Sequence, residues 1–459
     1  MSDPKPTLDL VSATTIVIAS MIGVGVYTTS GYTLAALQDP GLVVLAWAVG
    51  GLIAICGAIG YSSLATRFQE SGGEYLFLTK TLHPAAGIMA GWVSMLAGFT
   101  GAIAAAAIGV EEYVTPMILS PEGSFSLPNH VLAISTVALA GTLHCLGVHL
   151  AARVQDAIVL FKLIMLAALI VLAISKMNST IASSIAATNL AAPRFDLLAF
   201  AKQLVWISFS YAGFNAAIYI SGEVIEARRN VPRAMILATT LVTILYVLLN
   251  AIFVFSGTPQ EIISSDNLSQ IAAVAAQAVG GSGMTTFVRL VIVVSLFTSV
   301  SALVMTGPRV YAKMADDGVL PSFFSFQKTA PTAAIIFQCL AAISVISIST
   351  LGELLGYLGL TLSLCSALTV GSIFFSQDPS AVAGKKWIRK LSNLAAIFYV
   401  TATLILAFLY GMGEVINNDR PHSVIAAACT LSLGWIWFAI VKHRQKARNP
   451  DDRAKRSQQ

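Results

Sequence analysis

The sequence predicts an all-α membrane protein of twelve transmembrane helices, with the first and sixth spans discontinuous. Three observations lead there. Only 11% of the 459 residues are charged and 56% are hydrophobic, whereas soluble domains carry about 25% charged residues. Charge-free runs over 41–65, 85–110, 131–152 and 234–257 match or exceed the roughly 20 residues a helix needs to cross hydrocarbon. Two spans, five apart in order, are interrupted near their middles by small residues.

Apolar runs between charged loops place the spans near 9–37, 41–66, 84–110, 130–152, 154–175, 197–222, 233–257, 284–314, 333–350, 353–376, 389–412 and 422–441. Residues 10–37 run well past a signal-peptide core, so this segment is expected to persist as a span. Spans one and six fall five apart, the spacing produced when two five-helix repeats of opposite orientation each begin with a broken helix. That divides the chain into an N-terminal tail 1–8, a first repeat 9–177, a second repeat 197–376, a terminal pair 389–441 and a basic tail 442–459.

Orientation follows from charge. With both termini in the cytoplasm, the inner loops, tails and span ends hold 21 of the 27 Lys and Arg residues, among them Arg67, Arg228, Arg229, Arg233, Arg309, Lys313, Lys385 and Lys442. The outer side holds Lys176, Arg194, Lys202, Arg289 and Arg420. Cytoplasmic loops carry the excess of Lys and Arg, which selects this orientation; a cell (inner) membrane location is expected. The net charge of +5 is thus a topology signal; no amphipathic basic face offers itself to a nucleic acid.

The five cysteines, Cys56, Cys145, Cys339, Cys365 and Cys429, sit inside apolar runs and read as small core residues. His144 and His149 are five apart, where a metal pair on one helix face would be four apart. No metal and no cofactor is expected. The sequons at Asn178 and Asn267 are short enough to arise by chance.

The first span reads Ser20-Met21-Ile22-Gly23-Val24-Gly25-Val26-Tyr27. Two glycines one residue apart weaken a helix at mid-membrane depth, and the freed amides and carbonyls are tolerated there only against protein or a water-filled cavity. Close packing of another helix would also use small residues. The sixth span has the same form: 197–209, then Ser210-Tyr211-Ala212-Gly213-Phe214-Asn215, then a second half reaching Glu223. Amides opening a half-helix form a positive pole suited to a carboxylate, and carbonyls closing one suit an ammonium. A zwitterion satisfies both.

Lys162 lies nine positions after Arg153, about 13 Å along a helix at 1.5 Å per residue. That depth makes it a functional candidate, since ionisable residues inside membranes are costly. Snorkelling to the surface is the bland alternative. Glu223, near Arg228, Arg229 and Arg233, reads either as an inner-gate ion pair or as helix-end solvation.

Together these residues resemble the amino acid, polyamine and organocation permease superfamily. The resemblance rests on Ile22 to Tyr27, Glu70-Ser71-Gly72-Gly73-Glu74-Tyr75, Phe209 to Asn215 leading into Ser221-Gly222-Glu223-Val224, Arg229-Asn230-Val231-Pro232-Arg233, and Gly307-Pro308-Arg309 through Asp317-Gly318-Val319-Leu320-Pro321. It implies the five-plus-five inverted-repeat, leucine-transporter-like fold and amino acid transport by alternating access. The resemblance further implies a substrate carboxylate on the amides of Gly23, Val24 and Gly25, and an amine on the carbonyls near Ile22, Phe209 and Ser210. The lining would extend to Val26, Tyr211, Ala212 and Gly213. Val24 stands where many relatives have serine or alanine, which removes a hydroxyl and narrows the pocket. In proton-coupled relatives a lysine on helix five occupies the place of a sodium ion; Lys162 matches it, with Thr298 or Ser299 as the neighbouring hydroxyl. Partner-dependent relatives carry a cysteine in the loop after span three; 111–130 has none, so no covalent partner subunit is expected.

The central stretches of spans one, three, six, eight and ten contain no acidic residue, and an unpaired buried charge is costly. A neutral L-amino acid is therefore the expected substrate, with proton as the coupling ion and the lipid bilayer as the solvent. Glu111, Glu112 and Glu353 near the outer ends leave basic substrates open. Exchange, or sensing without flux, remain as alternatives. An enzyme would need a convergent catalytic set that Lys162 and His144 do not make.

Overall fold

The computed structural model describes residues 6–118, 128–145, 151–176, 195–256, 263, 268–325, 331–375, 386–416 and 422–448. Every regular element among them is helical; one parallel bridge joins Leu8 to Val224. Ten helices are long and apolar enough to cross a membrane, and two shorter apolar helices, Val131–Cys145 and Thr332–Ile346, accompany them. Large apolar side chains also face outward, including Leu52, Phe161, Ile164, Leu241, Leu340 and Phe408. A helix that is apolar all round is buried in protein or in lipid. The chain is a multi-pass membrane protein.

Span one is α1 (Leu10–Met21) followed by α2 (Gly25–Leu37). Asp9 caps α1, accepting from the Ser12 amide at 2.8 Å, and α2 stops at Gln38 in the left-handed region. Asp39 and Pro40 then start α3 (Pro40–Ala65): Asp39 accepts from the Gly41 and Leu42 amides, and proline needs no partner at a first helical position. A short α4 (Gly73–Thr81) follows, where the sequence suggested a loop.

Span three is α5 (Pro84–Val93), a π-helical segment Ser94–Gly101, and α6 (Ala102–Ile118). It runs past the predicted end at 110 because Glu111 and Glu112 continue the helix. Spans four and five are α7 (Val131–Cys145) and α8 (Ala151–Lys176). Span six is α9 (Leu197–Tyr211), capped by Asp196, and a 3₁₀ segment Ala216–Glu223; span seven is α10 (Ala227–Phe255). Span eight belongs to α11 (Ile271–Asp316), which turns at Gly281 (φ 66°, ψ −159°). The sequence reading began this span at 284. The alanine-rich stretch before the glycines forms a helical segment of its own, with Ile271, Ala272 and Ala275 buried. The remaining helices are α12 (Thr332–Ile346), α13 (Leu351–Gly371), α14 (Lys386–Ile416) and α15 (His422–Arg448), and a Thr350–Glu353 capping box starts α13.

The two broken spans sit at the centre. α1 packs against α8, α10 and α11, while α9 packs against α2, α3, α13 and α14. α3 and α10 lie along each other. His149, Asn178 and Asn267, singled out in the sequence, lie outside the described residues.

Candidate functional site

Both interruptions fall where the glycines predicted them. In span one the Gly23 amide donates to the Met21 carbonyl at 2.8 Å around Ile22 at φ −76°, ψ 79°, an inverse γ-turn. In span six, α9 ends at Tyr211, and Gly213 adopts φ 96°, a region that residues with a Cβ avoid. The second half that follows is 3₁₀ rather than α.

A cavity of about 120 Å³ lies between these breaks, room for more than a single water. Of the predicted contacts, Gly23, Val24, Gly25, Phe209, Ser210, Tyr211, Ala212 and Gly213 line it. Ile22 and Val26 do not line it and are buried in the surrounding core. The Ile22 carbonyl is used by Lys162, and the Gly23 amide by Met21, so in this conformation those two groups already have partners. Part of the bulk of Val24 fits a notch at Gly109, where an added Cβ would lie 2.6 Å from Val24 Cγ2.

Sequence reasoning missed Tyr246 on α10. Its hydroxyl lies 2.6 Å from the Met21 carbonyl and 3.1 Å from that of Ser210, the closing carbonyls of both first halves. One hydroxyl hydrogen serves one acceptor at a time, so an arriving ammonium finds acceptor capacity at both. Tyr211 in turn donates to the Trp47 carbonyl at 2.8 Å, fixing α9 on α3. No pattern in one sequence singles out a tyrosine within an apolar helix.

Gly25 brings the two spans together. A Cβ there would lie 2.1 Å from Ser210 Oγ and 3.0 Å from Ser210 Cα. The hydroxyl can rotate, but the backbone cannot. Gly25→Ala is therefore expected to push α2 from α9 and weaken amino acid binding at least several-fold, read as a lost ligand-induced thermal shift; full retention of the shift would show that the two halves separate freely.

Lys162 is 1% exposed, while its neighbours Leu160, Phe161 and Ile164 on α8 are all more than half exposed. It points inward and does not snorkel. Its Nζ donates to the Ile22 carbonyl at 2.9 Å and, at 3.4 Å, to that of Ser295 on α11. Among the described residues it has no carboxylate partner. Thr298 Oγ1 donates to the same Ser295 carbonyl at 2.7 Å, and Ser299 faces the cavity beside Gly23. The groups joining Lys162 to span eight are thus the Ser295 carbonyl, and Thr298 at one remove.

Glu223 meets Arg309 rather than the arginines nearby in sequence. Arg309 Nε and Nη2 donate to its two carboxylate oxygens at 2.5 and 3.0 Å, a bidentate pair. The Glu223 carbonyl also accepts from the Thr7 and Leu8 amides at 2.9 and 3.0 Å. The N-terminal segment, the end of span six and span eight are thereby tied at one end of the molecule.

One acidic residue changes the sequence picture. Glu74, read as part of a loop motif after span two, lies at the start of α4, is 4% exposed and lines the cavity. Its Oε1 accepts from Tyr61 Oη at 2.9 Å and Asn215 Nδ2 at 2.6 Å; its Oε2 accepts from Ser94 Oγ at 3.4 Å and from the Tyr219 hydroxyl. The central stretches of the spans do lack acidic residues, but the cavity does not.

A multi-pass helical protein whose two interrupted spans enclose a central cavity belongs to the class of membrane transporters. Comparison with known proteins makes this specific: the family model "Amino acid permease" matches residues 8–441, and the chain belongs to that family. It is 28% identical over 377 residues to "Large neutral amino acids transporter small subunit 2" of Oryctolagus cuniculus, covering 80% of this chain and 69% of the relative. It is 25% identical over 373 residues to "Asc-type amino acid transporter 1" of Mus musculus, with 80% and 69% covered. With "b(0,+)-type amino acid transporter 1" of Mus musculus it shares 25% over 368 residues, covering 79% and 74%.

Proposed function

We propose that the protein carries neutral L-amino acids across the cell membrane by alternating access, coupled to protons through Lys162. The observation that carries this reading is Lys162 bonded to the Ile22 carbonyl at the break itself. A charge-assisted bond is roughly twice as strong as a neutral one, so loss of the proton loosens the tie between α8, span one and span eight. The substrate carboxylate is assigned to the amides of Val24 and Gly25, and to Gly23 once its γ-turn opens. The ammonium is assigned to the carbonyls of Met21 and Ser210 that Tyr246 now shares.

The same reading takes 9–177 and 197–376 as two inverted five-helix repeats, within twelve spans and with both termini cytoplasmic. The relative named for large neutral amino acids supports the substrate class, and the absence of cysteine from 111–130 supports function without a covalently attached partner. No catalytic step is required.

Uptake of labelled neutral amino acids into proteoliposomes, with and without an inward proton gradient, tests this. Gradient-driven accumulation is expected. Uptake only against internal amino acid would make the protein an exchanger, and binding without flux would make it a sensor.

At the inner end, Glu223 and Arg309 act as a gate pair in this reading. Glu223→Gln keeps one acceptor and loses the charge, so inward opening becomes easier and outward-facing substrate binding weaker. A fewfold rise in the apparent KM from outside is expected; an unchanged KM would leave the pair a structural clasp.

A further inference from the structure

We infer that Glu74 is a second proton-binding site, and that its ionised carboxylate latches the inner half of span six against α3, α4 and the π-helical segment of span three. The inference deepens the transport reading and does not depend on Lys162.

The geometry is that of a closed latch. A carboxylate has about four acceptor positions, and Glu74 fills them with Tyr61 from α3, Ser94 from the π-helical segment, and Asn215 and Tyr219 from span six. Asn215 and Tyr219 belong to the stretch just after the Gly213 break, which must move if the cavity is to open inward. α4 is held to the same stretch at its first residue, where a Cβ on Gly73 would lie 2.0 Å from the Tyr219 ring. One side chain thus joins four elements at the bottom of the cavity.

The other groups facing it are neutral. Cys365 on α13 and Tyr399 on α14 line the cavity with Glu74, and the phenols of Tyr61 and Tyr219 donate to it. Among the described residues Glu74 forms no ion pair. The nearby inner-end ion pairs are Lys80 and Lys313 with Glu70, Lys313 with Asp317, and Arg309 with Glu223. The four donors favour the ionised carboxylate, so the latch is closed while Glu74 carries its charge and loosens when a proton neutralises it. The proton becomes covalently bound to one carboxyl oxygen, which then donates, so at least one of the four bonds must reverse or break, and the charge that strengthened all four is gone. Because Glu74 lines the cavity, that proton can arrive from the side to which the cavity is open, before the inner side opens.

The full set of donors also argues against a subsite for a cationic substrate side chain. An ammonium reaching Glu74 would have to displace Asn215 or a tyrosine. The site therefore takes a proton and nothing larger.

Cys365 gives the test its reporter. In full-length protein with the other four cysteines replaced by alanine, its labelling by a membrane-impermeant thiol reagent from the inner face is measured against pH in proteoliposomes. Because only the thiolate reacts, the rate at each pH is divided by that of the same cysteine in detergent-denatured protein, and this corrected labelling is expected to rise several-fold as pH falls. Glu74→Gln, whose amide cannot accept from all four donors, is expected to label at the high corrected rate at every pH. Tyr219→Phe, which removes one donor, should raise the rate and preserve the pH response.

Pre-treatment at low pH that leaves Cys365 as unreactive as at high pH, or a Glu74→Gln variant with unaltered pH-dependent labelling, overturns the inference. So does a Glu74→Gln variant that selectively loses affinity for lysine or ornithine with labelling unchanged, which would make the carboxylate a substrate subsite. Failure of proton-driven uptake in the parent, with the labelling pattern intact, would overturn the coupling reading and leave the latch standing.

Discussion

Lys162→Ala abolishes gradient-driven accumulation of amino acid and leaves substrate binding measurable: that is the expected result in proteoliposomes, with binding read as a thermal shift. Two consequences of the substitution have to be separated. Truncation removes the donor to the Ile22 carbonyl, which costs about 1–3 kcal/mol if the carbonyl stays buried and unpaired. The Ser295 carbonyl suffers less, since Thr298 still donates to it. Truncation also opens a void beside the break.

Lys162→Met fills most of the void without a titratable group, so it isolates the proton from the packing. If coupling runs through this side chain, both variants lose accumulation against a gradient, while Met recovers most of the lost stability. Accumulation in Lys162→Met close to that of the parent would refute the coupling role and leave Lys162 a structural donor. Retained counterflow in both, with accumulation lost, would place the defect in coupling alone.

The parts of this structure legible in the sequence were those set by hydrocarbon thickness and by glycine. The all-helical, multi-pass character follows from charge-free length, and ten of the described helices are long and apolar enough to cross a membrane. The breaks follow from Gly23, Gly25 and Gly213, because a backbone that leaves the helix needs residues without a Cβ. The nine-residue distance from Arg153 singled out Lys162, and its side chain is buried. Less legible was anything that depends on where non-helical chain folds back. α4 sits outside the apolar runs, yet it places Glu74 under the cavity, so a residue that reads as loop surface becomes a buried carboxylate. The partner of Glu223 was misassigned for a related reason: sequence proximity favoured Arg228 and Arg229, while Arg309 approaches from span eight. Tyr246 and the π-helical segment left no signal, since a tyrosine or serine within an apolar run has many packing uses.

Gly213→Ala carries the second large effect, and here backbone and packing act together. At φ 96° a residue with a Cβ is strained, typically by about 1–3 kcal/mol. The same Cβ would lie 2.7 Å from the Ser20 carbonyl oxygen and 2.9 Å from its carbon. Those are backbone atoms of α1, so no side chain can swing aside and the two breaks must part. Each 1.4 kcal/mol is about tenfold in an equilibrium constant, so affinity for substrate is expected to fall about tenfold or more, with a lower Tm in its absence. Gly411→Ala in α14, where an added Cβ meets nothing within 4 Å, is the matched control: the same methyl in a helix leaves binding unchanged and stability equal or slightly higher. A Gly213→Ala protein that binds as the parent does would mean that span six reaches its bound form without the left-handed turn, and the positive φ would then belong only to the empty conformation.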